Sequence, residues 1–568
     1  MKRKLESVIS ALLKEAYSFD APVELTRPVE KFGDYATNVA LQLAKQLSKN
    51  PRELADEIAQ KFRDSLADKI SEVTVAGPGF INLKLTDEYL QSVLDVKLEN
   101  ISLSSKKIVV EYSDPNPFKV LHAGHLYTSV VGDSIANLLE HAGAKVHRVN
   151  FGGDVGLHVG KTMWAMLKEL GGENPAKLSE IPETERSEWM AKAYVEGTKT
   201  YDDNEGAKSA IIDLNKRVYK IHSDNDKQSP LAQIYWTTRQ WSYDYFDEFY
   251  SRIGTHFEKY YPESATVQIG LDTVKQQLAK GIYKESDGAV IFEGEKYGLH
   301  TRVFINSEGL PTYEAKDVGL SMLKMQDYNF DKSIIITGNE QSQYMSVVLK
   351  SIEQFAPELA HNTTHLTHGM VKLKGGVKMS SRLGNFLRAI DVLDAASEAA
   401  KSMGKNDVNH DSTVLGAIKY SFLKNRMGGD IIYDPEESVS LEGNSGPYLQ
   451  YAHARACSIL RKAGDSEGEI PAFAGITDVT EIFEAGERSL AVKITEYSEV
   501  FEKAVTELAP HLIATYLYEL AQVFNRFYES NKVVGDPRQA IRLNLVDLYS
   551  QRLKVGLELL GITAPERM

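Results

Sequence analysis

Apolar and polar positions follow three rhythms along the chain. Near the start, Val8, Ile9, Leu12 and Leu13 form one stripe at helical spacing, and Val39, Leu41, Leu43 and Ala44 belong to a second helical run. Val73-Thr74-Val75 and Phe80-Ile81-Asn82-Leu83 have strand chemistry, and Ala76-Gly77-Pro78-Gly79 between them is a turn signal. These stretches predict a small α+β domain over 1–105, with Ser102 to Lys107 as the link to the next domain.

From Lys106 strands alternate with helices. Ile108-Val109-Val110-Glu111-Tyr112 predicts a buried strand, and Leu126, Val130, Val131, Ile135, Leu138 and Leu139 predict a helix that stops at Gly143. Val146-His147-Arg148-Val149-Asn150-Phe151 predicts the next strand, running into Gly152-Gly153-Asp154-Val155-Gly156. The stretch from about Trp164 to Pro262 is charged, helical in pattern and poor in strand signal, as an insertion between two halves of a nucleotide fold would be. Ser286-Asp287-Gly288 predicts a hairpin between Tyr283 and Val290-Ile291-Phe292. Val303-Phe304-Ile305 and Ser333-Ile334-Ile335-Ile336-Thr337 predict further strands, with a helix starting near Glu314 and Gly338-Asn339-Glu340-Gln341 at a strand's carboxyl end. Such alternation implies a parallel sheet over 106–443 whose ligand crevice lies at the carboxyl ends of its strands. The remaining 444–568 lose strand character: Leu490, Ile494, Phe501, Val505 and Leu508 predict one amphipathic helix, and Leu512, Tyr516, Leu520 and Phe524 the next. Tyr516, Tyr518, Phe524, Phe527 and Tyr528 read as bundle core, although a base-stacking surface uses the same residue types.

Composition narrows the class. A chain of 568 residues with 42% hydrophobic and 25% charged content is a multidomain globular protein. A formal charge of −14 argues against a generally basic nucleic-acid coat, while leaving room for a local basic track. Such a track is suggested from Asn525 onward, where seven Lys/Arg face five Asp/Glu. The single Cys457 excludes an internal disulfide framework and a cysteine-based zinc site, and fits a reducing compartment. With no signal-peptide core at the start and no apolar run long enough for a bilayer, a cytoplasmic location is expected.

Chemistry concentrates in Pro115-Asn116-Pro117-Phe118-Lys119-Val120-Leu121-His122-Ala123-Gly124-His125, which feeds the predicted helix. Free N–H groups and the positive end of the helix dipole make that entrance a phosphate site, and imidazoles there add donors. The alternative is two unrelated histidines near a helix cap. A second stretch, Val371 to Arg388, carries Lys372, Lys374, Lys378, Arg382 and Arg388 without an acid. Within it Lys378-Met379-Ser380-Ser381-Arg382 and Leu383-Gly384-Asn385-Phe386 suit a loop closing over a triphosphate. A pocket that selects a guanidinium needs a carboxylate and neutral acceptors, and Glu111, Asn116, Tyr313, Asp317 and Gln341 are those types. Against this, Glu111 reads equally as a surface charge at a strand end and Asp317 as a first-turn helix acid.

An H-x-G-H at a strand–helix junction followed far downstream by K-M-S-x-[KR] resembles the class I aminoacyl-tRNA synthetases, although Ser381 and Arg382 depart from the family's K-M-S-K-S. Asn150-Phe151-Gly152-Gly153-Asp154-Val155-Gly156 resembles the same family's N-x-x-G-D-x-G. Phe32-Gly33-Asp34-Tyr35-Ala36 and Gly77-Pro78-Gly79-Phe80-Ile81-Asn82 resemble the amino-terminal appendage of arginyl-tRNA synthetases, which touches the tRNA elbow; an ordinary turn and hairpin are the other reading. The stretch from Ser445 to Arg455, with Gly535-Asp536-Pro537-Arg538 and the tail Ala564-Pro565-Glu566-Arg567-Met568, looks like that family's anticodon-binding domain.

The resemblance implies a Rossmann-like class I catalytic core between a small α+β amino-terminal domain and an all-α carboxyl-terminal bundle. It implies an arginine–tRNA ligase using ATP and Mg²⁺, with tRNA(Arg) and L-arginine as partners, no protein-bound zinc, no membrane association and a monomeric state. By the same resemblance Tyr313 and Asp317 take the guanidinium, while Glu111, Asn116 and Gln341 hold other polar groups of the substrate. His122 and His125 donate to the phosphates, Gly124 lets the nucleoside approach the backbone, and Lys378 holds pyrophosphate from a loop completed by Met379, Ser380, Ser381 and Arg382. Lys119 resembles the lysine that family members lacking the second loop lysine carry upstream of H-x-G-H. Two rivals stand beside this reading: a small nucleotidyltransferase, which shares H-x-G-H but not the helical tail, and a non-catalytic RNA-binding relative, which Arg382 would favour.

Overall fold

The computed structural model describes residues 1–18, 20, 22–94, 103–375, 387–402, 410–467 and 482–568. Lys378 to Arg382, and with them the K-M-S-S-R motif, lie outside the described residues.

The organising element is a five-stranded sheet. Its first strand, β1 (Lys107–Glu111), leads to α1 (Ala123–His141), β2 (Lys145–Gly152), the long helix α2 (Pro230–Ile253), β3 (Lys259–Pro262) and α3 (Glu263–Ala279). Then come α4 (Tyr313–Tyr328), β4 (Lys332–Gly338) and β5 (Thr363–His368). The strand order is β5-β4-β1-β2-β3 and every pair is parallel. Strands covered on both faces read as unbroken apolar runs, and Ile108, Val109 and Val110 are buried as that rule requires. The chain leaves β1 toward β2 on one side and later returns to β4 on the other, so the crevice between the carboxyl ends of β1 and β4 is the topological switch point.

β3 corrects the sequence reading. Residues 164–262 do fold mainly as helices, which enclose a core of Val159, Met163, Met166, Leu214, Val218 and Tyr235. Their last four residues, however, pair with Val149 to Gly152 as the sheet's edge. Four residues ending in proline carry too little pattern to be read as a strand, and an edge position tolerates that proline. The predicted hairpin forms, with Asp287 at φ 48° and Gly288 at φ 77° supplying the two positive angles of a type I′ turn.

At the amino terminus, helices Lys2–Tyr17, Val39–Leu47 and Pro51–Ser65 cover an antiparallel sheet of Tyr35–Thr37, Phe80–Leu85 and Ile70–Ala76. The buried stripe of the first helix is Leu5, Ile9 and Leu13, and Val8 faces outward, a one-residue rotation from the predicted stripe. Of Phe32-Gly33-Asp34-Tyr35-Ala36, the last three are buried and Phe32 is exposed. A side chain at Gly33, whose φ is 104°, would collide with the Leu83 carbonyl at 2.7 Å. Asp34 accepts from the Leu85 N–H (2.7 Å) and from Arg488 Nη2 (2.7 Å), and Arg27 Nη2 donates to Glu499 Oε1 (2.7 Å). Two arginines thus fasten this unit to the carboxyl-terminal bundle.

That bundle comprises α5 (His410–Leu423), α6 (Gly446–Glu467), α7 (Ala485–Thr495), α8 (Tyr497–Glu507), α9 (Pro510–Ser530) and α10 (Gln539–Leu559). The stripe predicted as one helix from Leu490 to Leu508 is two, α7 and α8, interrupted at Glu496. Apolar spacing continues across the break, but α8 turns to set Phe501 against His141 at the end of α1 (ring centroids 5.1 Å). Tyr516, Phe524 and Phe527 are core, with Phe524 stacked on Tyr549 at 3.9 Å, while Tyr518 and Tyr528 are half-buried. Two of the seven late cations point inward: Arg542 donates to Glu487 and Glu484 (both 2.8 Å), and Arg538 to Glu487 (2.9 Å). The predicted charge reversal is therefore partly internal. The 443/444 boundary is also tightly packed, because the backbones of Gly446 and Gly416 meet where α6 crosses α5. Gln450 reaches the Thr563 carbonyl at 2.9 Å.

Candidate active site

The loop leaving β1 is bent by residues in left-handed conformation: Ser113 (φ 74°), Asp114 (φ 50°) and Phe118 (φ 68°). Such angles cost of order 1–3 kcal/mol each for non-glycine residues and persist only where surroundings enforce them. Here Ser113 Oγ bonds Tyr250 Oη (2.8 Å), and Asp114 Oδ1 accepts from the Phe151 N–H (2.8 Å). Asn116 Oδ1 accepts from the Gly153 N–H (2.8 Å), and the Phe118 N–H donates to Ser242 Oγ (3.0 Å). The loop is pinned to the end of β2 and to α2.

Beside it opens a cavity of about 1090 Å³ at the switch point. Glu111, Asn116, Tyr313, Asp317 and Gln341 all line it, together with His122, Gly124 and His125. Lys119 does not line it: its Nζ stands 4.8 Å from the Tyr194 ring, on the side of the helical insertion. The flanks of the undescribed cationic stretch do reach the cavity, since Leu373 and Leu387 are part of its wall. The Ala123 N–H donates to the Leu387 carbonyl (2.8 Å), and the Ala389 N–H to that of Leu121 (2.9 Å). That stretch is less unbalanced than its sequence. Lys372 pairs with Asp430 (2.6 Å), Lys374 with Asp434 (2.6 Å) and Arg388 with Asp391.

His122 caps α1 and forms a reciprocal pair with His125: each Nδ1 accepts the other's backbone N–H, at 3.3 and 3.1 Å. An accepting Nδ1 leaves the ring proton on Nε2. The rings stack at 3.6 Å, and burial pushes His122 down to about 4 and His125 well below its ordinary value. Both are neutral donors at pH 7, where the sequence left their charge open. A methyl group at Gly124 would lie 2.9 Å from the His122 ring, so this glycine lets the imidazole fold over the helix entrance.

The acids of the cavity differ in their partners. Glu111 is no surface charge: it is buried and ion-paired with Lys324. Glu263 pairs with Lys316 (2.7 Å) and Glu314 with Arg302 (3.1 Å). Asp317 lies in the second turn of α4, buried, and accepts from Tyr344 Oη. Among the described residues no Lys or Arg lies within ion-pair distance of it, and burial raises its carboxyl to about 7. Asp114, Glu263, Arg302, Glu314 and Tyr344 were not singled out by sequence. Asp114 stands directly before Pro115 and Glu314 beside Tyr313, but only the fold brings Glu263, Arg302 and Tyr344 to the same wall.

Three family profiles match the chain: "tRNA synthetases class I (R), catalytic domain" over residues 89–434, "Arginyl tRNA synthetase N terminal domain" over 1–85 and "DALR anticodon binding domain" over 449–568. The chain is 29% identical to the arginine–tRNA ligase of Phocaeicola vulgatus, with both chains fully covered. It is 30% identical to that of Bacteroides thetaiotaomicron, over 99% of this chain and 98% of the relative. Among solved structures, the arginyl-tRNA synthetase of Thermus thermophilus superposes with a TM-score of 0.80 at 26% identity over the full length of both chains. That of Plasmodium falciparum shares the fold at the same TM-score and 22% identity, covering 100% of this chain and 99% of its own.

Proposed function

Because the chain belongs to the class I arginyl-tRNA synthetases, its reaction is the ligation of arginine to tRNA, and we propose that this reaction runs in the cavity between β1 and β4. In the first step the arginine carboxylate attacks the α-phosphate of ATP and pyrophosphate leaves. In the second, a terminal ribose hydroxyl of tRNA(Arg) takes the arginyl group and AMP leaves. Neither step needs a side-chain nucleophile, so the rate rests on positioning and on donors aimed at developing charge.

The Nε2–H groups of His122 and His125 donate to the phosphate chain, with Gly124 giving the nucleoside access to the backbone. Lys378, Met379, Ser380, Ser381 and Arg382, which lie outside the described residues, are assigned to the same phosphates by their likeness to the family's K-M-S-K-S motif. Magnesium arrives with ATP, bound by its phosphates. Tyr313 and Asp317 receive the guanidinium, and Asn116 and Gln341 the other polar groups. Glu111 serves the same end, with its charge already shared with Lys324. The single observation that carries this assignment is Asp317, a buried carboxylate without an ion pair among the described residues, in a cavity where Glu111, Glu263 and Glu314 each have one.

Arginine binding should depend on pH. With the site empty Asp317 titrates near 7, and a bound guanidinium favours the charged form, so arginine binding releases a proton. The KM for arginine should fall roughly tenfold between about pH 6 and about pH 8. His122 and His125 stay neutral across that window, so ATP affinity gives the control. A flat arginine profile contradicts the role given to Asp317.

The units 1–105 and 444–568 are read as the tRNA-elbow and anticodon contacts flanking the catalytic unit 106–443. Removing 444–568 does not test this, because α6 is packed on α5. The exposed cations Arg526, Lys532 and Lys554 do. Neutralising all three should weaken tRNA binding and reduce its salt slope by about one per lost phosphate contact. Filter binding over a salt series measures it, and an unchanged slope moves the tRNA track elsewhere. A cytoplasmic monomer belongs to the same reading, and sedimentation tests its mass.

A further inference from the structure

Resting on the arginine reading above, we propose that Asp114 is a second specificity-determining carboxylate for the substrate guanidinium, acting beside Asp317. The chain spends backbone strain to put it there. Ser113 and Asp114 both take left-handed angles, and Asp114 lines the cavity. The Phe151 N–H fixes Oδ1 at 2.8 Å, which holds the group still and leaves the second carboxylate oxygen uncommitted.

A charge inventory of the wall points to what that oxygen receives. Of its six acids, Glu111, Glu263 and Glu314 each hold a lysine or arginine, and Glu340 is exposed. Among the described residues, Asp114 and Asp317 have no Lys or Arg within ion-pair distance. Burial, then the neighbouring Glu111, hold the Asp114 carboxyl well above its ordinary value, and the charge of Asp317 adds to this. Lys324, whose ammonium is already paired with Glu111, lowers both only through space, and two buried carboxylates without an ion pair of their own are costly unless a cation joins them. A guanidinium is that cation, because its planar fork of five N–H donors can face two carboxylates at once, which a lysine ammonium does less well.

The test compares arginine with citrulline, whose urea replaces the guanidinium without charge, by calorimetry on the full chain. Asp114→Asn keeps an oxygen for the Phe151 amide and tolerates a left-handed angle. Asp114→Ser is the second variant, since Ser18, Ser48 and Ser113 already adopt φ of 52°, 54° and 74° in this chain. Expected are an arginine Kd raised about 10- to 100-fold, as for loss of one charge-assisted bond, and a discrimination over citrulline narrowed by a similar factor. ATP affinity stays within about twofold, which reports an intact fold. Unchanged arginine binding in both variants overturns the proposal and leaves Asp114 as an anchor for β2. Equal losses for arginine and citrulline also overturn it, placing the carboxylate at the α-ammonium. A wild-type protein that fails to prefer arginine defeats the arginine reading itself, a distinguishable result.

Discussion

Asp317→Asn is expected to weaken arginine binding by about 2–4 kcal/mol, roughly 30- to 1,000-fold, while leaving ATP affinity almost unchanged. The substitution keeps the shape of the group and an oxygen for the Tyr344 hydroxyl, so what it removes is charge. The effect is large because the site is buried and because, among the described residues, no Lys or Arg lies within ion-pair distance of Asp317, Lys324 being paired with Glu111. The sign on stability runs the other way. A carboxyl raised to about 7 in the folded protein contributes most below its unfolded value near 4 and loses that contribution as the pH rises through 7. At pH 7.5 the Asn variant should therefore unfold at the same temperature as the parent or higher. Calorimetry with each substrate, beside a thermal melt, separates the two effects. Equal losses for arginine and ATP would refute the assignment.

Lys119→Ala should lower the rate of adenylate formation by roughly 10²-fold or more, the scale of removing one donor from a transition state. Lys119 sits three residues before His122; burial above all keeps His122, His125 and His158 below their ordinary values, and the Lys119 ammonium adds to that lowering at each, against Glu340 at His122. Its positive charge is thus felt at the helix entrance although its Nζ rests over Tyr194. Departing pyrophosphate is the charge that would draw it across. Arginine at 382 keeps a charge but replaces a compact ammonium with a planar fork, which leaves a point charge to be supplied from elsewhere. Arg382→Lys in the Lys119→Ala background should then recover part of the rate. Single-turnover activation at full rate in Lys119→Ala would sink this compensation and return Arg382 to the leading role.

What the sequence made legible was local. β1, α1 and the hairpin at Asp287-Gly288 announce themselves because each is specified by residues adjacent in the chain: an apolar run, a helical stripe with its stop, two turn residues. β3 and the break at Glu496 were hidden for the opposite reason, since four residues and an uninterrupted apolar spacing hold no signal of what packs beside them. The site divides the same way. Residue types showed that Glu111 and Asp317 suit a cation, but not that Lys324 already pairs with the first while the second, among the described residues, holds only the Tyr344 hydroxyl and no ion pair. Lys316 and Lys324 stand on the same helix as Asp317, yet their partners Glu263 and Glu111 come from other elements. Asp391, three residues past Arg388, is legible as its partner, whereas only the fold sets Asp430 and Asp434 against Lys372 and Lys374.

Arginine activation at the cavity between β1 and β4 can be measured without intermediaries as exchange of pyrophosphate into ATP. The assay takes the full chain with Mg²⁺-ATP and arginine, citrulline or lysine, each with and without tRNA(Arg). Saturable exchange is expected with arginine alone among the three, and it should drop tenfold or more in Asp317→Asn when arginine is held at the parent's KM. Exchange that is absent with arginine in both arms, or equally fast with citrulline, would rule this activity out of the cavity.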